Sequence, residues 1–407
     1  TSIFIAIATI FSQNIAEWLK YPDHNEYIIW FSLIVGLDAI SSIPLAKLRL
    51  NEKAKRFAGI NFLNVGVNIL LNLFFLVYCK ENYENGNTNL LINTFYNPEI
   101  GVGYVFISNL IASVIKFIVL FPEMNFKGTF DFSLLNGMFK YASPMLLVGL
   151  AYVVNETLDR AMLKSILYDQ YLETGRAKSS NEALKMALSQ NGIYGANYKI
   201  TMIVSMFIQA FRYASEPFFF KDGTNKSSKE TLAKVMNYFT IVLVLIFLII
   251  TLYLHLFKYF INNPDYWEGL TVVPILLGAN IFLGIYTSLS IWYKLSDKTK
   301  FGAYISGAGV IITLLINFLF IPNYGYLASA FATLACYFSM VIASYILGKR
   351  YFFVPYEVEK IAIYFFAVLT IFFLVYNQYF NLGINFILLL GFTIFVYILE
   401  KPKKINR

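Results

Sequence analysis

Long apolar runs, each about the length of a bilayer crossing, repeat along the whole chain and are separated by short polar stretches. Twelve such runs stand out, at about 1–19, 27–46, 57–79, 101–122, 138–164, 193–220, 233–260, 268–293, 301–321, 325–348, 358–376 and 380–399. Runs of this length predict spanning α-helices, because lipid leaves the backbone no partner but itself. The expected fold class is an all-α integral membrane bundle. Polar residues interrupt the runs with helical spacing. Tyr152, Asn155, Glu156, Asp159 and Arg160 share one side of the fifth span. Tyr194, Tyr198, Thr201, Ser205, Gln209, Arg212 and Glu216 step by three or four along the sixth, within one narrow arc. Asn61, Asn64, Asn68 and Asn72 do the same on the third. The expected role of these asparagines is hydrogen bonding between helices. The last two spans hold almost no internal charge and read as lipid-facing helices.

Composition agrees with this pattern. The chain is 58% hydrophobic and 14% charged, against about 25% charged in soluble domains. Its net charge of +8 lies in short loops, which argues against nucleic acid as the partner. One set of loops is basic: Lys47, Arg49, Lys53, Lys55 and Arg56; Lys127 and Lys140; Lys221, Lys226, Lys229 and Lys234; Lys294, Lys298 and Lys300; Lys349, Arg350 and Lys360; and the tail Lys401, Lys403, Lys404 and Arg407. The alternate loops are richer in acids, with Lys20 among their few cations. The positive-inside rule puts the basic set, and the C-terminus, in the cytoplasm. The longest outer segment, about 165–192, reads as a short polar helix or flexible lid. Two cysteines and two histidines without ligand spacing suggest no metal, haem or His-based catalytic site. No cofactor is expected beyond a coupling H⁺ or Na⁺.

The chain also repeats itself. RLNEKAK at 49–55 matches KLSDKTK at 294–300, and at the same offset LLN at 70–72 matches LIN at 315–317, pairing Asn72 with Asn317. Repeated halves around a midplane site are a common transporter plan. The offset leaves the fifth and sixth spans without partners in the first half. It thereby predicts fourteen spans in the intact protein, two of them upstream of Thr1. The expected domains are an N-terminal lobe at 1–125, a six-helix lobe at 126–350, and two extra helices with a basic tail at 351–407.

Charge inside an apolar span marks a candidate site. Arg160 and Arg212 are candidate anion contacts, although Glu156–Arg160 and Arg212–Glu216 are also spaced as local pairs. Tyr152, Tyr194 and Tyr198 are candidate stacking platforms for a substrate, with Asn155 and Gln209 as further candidate contacts. Asp38, Asp159, Glu156 and Glu216 are candidate ion-coupling acids. Asp38 is the preferred one, having no basic neighbour on its own span; Asp159 sits beside Arg160. Lys116 either adds positive potential to a cavity or snorkels inward, the latter being preferred. Pro44 and Pro144 are expected to bend their spans.

NETLDR at 155–160, IPLAKLRLNEKAKRFA at 43–58, GIYGANYKI at 192–200 and FRYASEPFFF at 211–220 resemble the polysaccharide or O-antigen flippase family. That family belongs to the multidrug, oligosaccharidyl-lipid and polysaccharide exporter superfamily. The resemblance implies a MATE-like V-shaped pair of six-helix lobes plus two extra helices in a bacterial inner membrane. It implies movement of undecaprenyl-diphosphate-linked sugar repeats between leaflets, with Arg160 and Arg212 as cations of a central cavity. Membrane lipid and polysaccharide polymerase machinery are the implied partners. Three other readings stay open: an ion-coupled drug exporter of the same fold, an integral polysaccharide polymerase, and a scaffold. The polymerase reading needs an outer acid–base set that 165–192 does not supply.

Overall fold

The structure is a computed structural model that describes residues 1–18, 23–87, 89–124, 131–222, 226–376 and 382–401. Lys20, Lys127, Lys403, Lys404 and Arg407 lie outside the described residues, as does the expected lobe boundary at 125/126. The chain divides into two compact units, Thr1–Phe130 and Asp131–Arg407.

The first unit holds α1 (Ser2–Ile10), α2 (Ser12–Trp18), α3 (Asn25–Leu50) and α4 (Ala54–Asn72). It continues through a π-helical stretch at Leu73–Cys79 into α5 (Lys80–Glu84), then α6 (Leu90–Phe95) and α7 (Gly103–Leu120). α7 packs on α3 and α4. The expected first span is two short helices that break at Phe11. Pro44 lies inside an unbroken α3. The hydrogen bonds of the α4 asparagines run along their own helix: Asn61 donates to the Phe57 carbonyl (2.9 Å) and Asn72 to the Asn68 side chain (2.5 Å). That differs from the interhelical role expected of them.

The second unit holds α8 (Phe132–Glu173), α9 (Ser180–Asp222), α10 (Lys226–Leu252), α11 (Leu254–Phe257), α12 (Val272–Leu289) and α13 (Ile291–Leu295). After them come α14 (Thr299–Tyr324), α15 (Tyr326–Tyr351), α16 (Val358–Tyr376) and α17 (Leu382–Glu400). α8 lies against α14 and α9, and α12 against α15, α9 and α10. The largest apolar cluster joins α9, α10, α12 and α15 to the last two helices through Tyr364, Val368, Phe392 and Val396. Glu400 ties those helices to α10: it accepts hydrogen bonds from Tyr364 and from Asn237 (3.0 Å) and pairs with Lys360 (3.2 Å). Among the described residues, ten helices are long and apolar enough to cross a membrane. The described residues contain no strand. Of the twelve expected spans, the divided first and the polar α9 fall outside those ten.

The segment 165–192, expected as a short polar helix or flexible lid, is helical, but as the continuation of two long helices and not as a separate short one. α8 runs 42 residues without a break, through Pro144, and α9 runs 43. Each is about 60 Å long, roughly twice the hydrocarbon thickness of a bilayer. Only a short turn separates them. Gly175 sits there at φ +68°, and the Ala177 N–H bonds back to the Tyr171 carbonyl (3.0 Å). A capping box starts α9: the Ser179 hydroxyl accepts from the Glu182 N–H (3.2 Å), and the Glu182 carboxylate accepts from the Lys178 N–H (2.8 Å). Leu163, Leu167 and Tyr171 on α8 meet Ala183, Ala187 and Tyr194 on α9 in one buried cluster. Four-residue spacing of these apolar positions carries the helices past the polar surface.

The repeat is visible in the backbone. Glu52 and Asp297, aligned by the sequence match, are the non-glycine residues at positive φ among those described, at 59° and 56°. In each turn the next N–H reaches five residues back, Lys53 to Leu48 (2.9 Å) and Lys298 to Tyr293 (2.8 Å). Both are helix ends closed by a left-handed residue, a position where a Cβ costs about 1 kcal/mol. Asp297→Gly is therefore expected to raise the apparent Tm in detergent by about 2 °C. An unchanged or lowered Tm would show that the aspartate side chain compensates for its backbone.

Candidate functional site

The polar sides of α8 and α9 face each other in the second unit. α8 and α14 run in the same direction with a steady register. Thr299 donates to the Tyr141 carbonyl (3.2 Å), and Thr313 to the Asn155 amide oxygen (3.1 Å). One turn further along both helices, this register sets Asn317 level with Asp159. Asp159 is 1% exposed and accepts a hydrogen bond from Tyr194 of α9 (2.5 Å). Glu156 accepts one from Tyr198 (2.6 Å) and one from Tyr337 of α15 (3.4 Å). Both acids are thus held by phenol hydroxyls. Arg160 lies over the Tyr198 ring, 4.7 Å from its centroid, and its buried Nε has no hydrogen-bond partner. The side-chain amide of Asn317 and the hydroxyl of Ser329 on α15 are likewise buried without partners. The Arg160 backbone N–H donates to the other Asp159 oxygen (2.7 Å), so this buried carboxylate has one donor on each oxygen. No cluster of three His, Cys, Asp or Glu able to hold a metal occurs among the described residues.

Beside this seam is a cavity of about 100 Å³ bordered by α8, α9, α12, α13, α14 and α15. Tyr152, Asn155, Gln209 and Arg212 border it, so four of the expected substrate contacts do meet. Tyr286, Tyr293 and Ser306 add a linked set of hydroxyls, with oxygens 3.3 and 3.2 Å apart. Arg212 has no carboxylate partner among the described residues. Its guanidinium lies 5.8 Å from the Tyr213 ring centroid. The alternative Arg212–Glu216 pair is not formed, because Glu216 binds Lys294 (2.5 Å), a residue that also borders the cavity. Arg160 is absent from the lining of this cavity.

Two of the expected stacking rings are covered. Tyr194 is 0% and Tyr198 5% exposed, whereas Tyr152 is 45% exposed and keeps an open face. The two covered tyrosines serve as donors to Asp159 and Glu156 instead. Asp38, in the first unit, does have a basic neighbour. Lys116 of α7 donates to it (2.6 Å), as does Ser113 (2.9 Å). Lys116 is itself buried and does not snorkel. The sequence missed Lys294, Asn317 and Tyr337 as site residues. Lys294 reads as one loop cation among many, and Tyr337 as one aromatic in an apolar run. Asn317 was marked by the repeat, but only as a counterpart of Asn72.

The helical arrangement matches a solved structure, lipid II flippase MurJ in an inward closed conformation, with a TM-score of 0.57 over 98% of this chain and 82% of that one. The chain shares that fold. Sequence identity is 15%. No family model and no curated protein matches the sequence.

Proposed function

We propose that the protein is a flippase that moves polyprenyl-diphosphate-linked oligosaccharide repeats from the inner to the outer leaflet of a bacterial cytoplasmic membrane by alternating access. It would supply surface polysaccharide biosynthesis and the polymerase machinery, and would break or form no covalent bond. The observation that carries this reading is Arg212: a guanidinium without a carboxylate partner among the described residues, on a cavity inside a helical unit. Such a charge requires an anion, and its planar fork suits a phosphate. Hydroxyls and amides around it match a hydrated headgroup, while a polyprenyl tail stays in lipid. The fold shared with a flippase for a lipid-linked substrate supports the same class. The family resemblance of the sequence narrows it to oligosaccharide repeats. Asp159, set level with Asn317, is the proposed coupling acid, and the C-terminus is proposed to be cytoplasmic.

Deleting the gene tests the reading in cells. Lipid-linked oligosaccharide is expected to accumulate on the cytoplasmic leaflet, and purified protein in vesicles is expected to restore its movement. A deletion strain with normal surface polysaccharide, or vesicles that expel cationic drugs but not the lipid-linked sugar, would overturn it.

A further inference from the structure

We infer that Lys294 and Arg212 form a two-cation subsite for a diphosphate at one end of the cavity in the second unit, and that Glu216 is its built-in counter-ion, displaced when the diphosphate enters. This rests on the flippase reading for the source of the anion and adds how the site is kept closed.

Three observations support it. First, both cations border the same cavity, and Glu216 neutralises only one of them. Two positive charges against one carboxylate leave an excess of one at the cavity wall. A diphosphate corrects that imbalance; a neutral sugar does not. Second, the cavity wall offers an anion further donors beside the two cations: the Tyr152 and Tyr286 hydroxyls and the Asn155 and Gln209 amides border it with them. Third, Lys294 is fixed at its backbone and ends on a single ion pair. Its carbonyl accepts from Tyr141 (3.4 Å) and the turn beyond it closes at Asp297, and among the described residues its ammonium pairs with the Glu216 carboxylate alone. Such a pair at a cavity wall exchanges one anion for another without a change of backbone. Glu216 is one helical turn from Arg212 and pairs with Lys294, so an anion that reaches Lys294 must displace it. The carboxylate therefore competes with the ligand for Lys294 and keeps smaller or weaker anions out. If the pair were only a strut between α9 and the α13 turn, neutralising Glu216 would cost stability and gain nothing in binding.

The test uses the full chain in detergent, with inorganic diphosphate and farnesyl diphosphate as probes and calorimetry as the readout. Glu216→Gln is expected to bind diphosphate about tenfold tighter than the parent. Lys294→Gln is expected to bind about tenfold weaker, and the double variant to match Lys294→Gln. Tightening with both probes identifies the free anion as sufficient; tightening with farnesyl diphosphate alone makes the lipid headgroup the ligand. Either result supports the subsite. Unchanged or weaker binding in Glu216→Gln, or parental affinity in Lys294→Gln, overturns it. Should Glu216→Gln elute aggregated, Glu216→Asp shortens the reach to Lys294, and the same tightening is required of it. Movement of lipid-linked sugar in vesicles stays a separate readout. Transport with no effect of Glu216→Gln on binding removes the counter-ion and leaves the flippase; tightened binding without transport does the reverse.

Discussion

Replacing Arg212 by glutamate is expected to abolish movement of a polyprenyl-diphosphate-linked substrate while the protein still inserts and folds. Arg212 borders the cavity and carries no carboxylate partner among the described residues, so no ion pair is broken by its removal. Reversal changes the local balance from two cations and one acid to one cation and two acids. The diphosphate then meets repulsion where it had a forked donor. Losing one desolvated charge contact costs about 2–5 kcal/mol, and reversal exceeds loss, so transport falls on the order of a hundredfold or more. Arg212→Lys keeps the charge but not the fork and is expected to retain a measurable part of the rate. Vesicle transport, with membrane insertion checked by blotting, decides the matter. Parental transport by Arg212→Glu would remove the diphosphate from this cavity.

Asp159→Asn is expected to uncouple transport from an imposed proton or Na⁺ gradient. The carboxylate is 1% exposed and held by Tyr194, so the amide keeps the shape and one hydrogen bond while the charge goes. An acid that cannot ionise neither loads a proton nor binds a cation. Downhill movement should survive and gradient-driven accumulation should not. Asp38→Asn is the control. Asp38 is already matched by Lys116 and Ser113, so its loss is expected to lower stability, by leaving Lys116 short of a counter-charge, and to spare the gradient dependence. Gradient-driven accumulation intact in Asp159→Asn would place coupling elsewhere.

These two expectations reverse the order in which the sequence ranks the acids, and the reason is physical. A single helix lists its own neighbours by spacing, so Asp38 looks alone on α3. Its cation comes from α7, across a tertiary contact that spacing does not encode. The same limit hides Lys294 from Glu216 and Tyr194 from Asp159. Features that depend on period alone were legible. The apolar runs became helices, and the polar arcs of α8 and α9 proved to be facing sides of one seam. The repeat match at 49–55 and 294–300 marked two turns with the same backbone. Where hydropathy was used to end a helix, it misled. Polar residues at 165–192 suggested a separate short polar helix or a lid, although the Ser179–Glu182 capping signal and the spacing of Leu163, Leu167 and Tyr171 were present in the sequence.

Those unbroken helices turn α8 and α9 into lever arms. Each is about 60 Å of continuous hydrogen-bonded rod, with Asn155 and Arg212 along its length and the Gly175 turn at its tip. A tilt of about 10° at the far end carries the tip through about 10 Å, far more than the side-chain shifts that ligand exchange at Lys294 requires. A spin label or fluorophore at exposed Lys178, on the turn between the two helices, is therefore expected to read a tilt of either one at several times its displacement near Asn155 and Arg212.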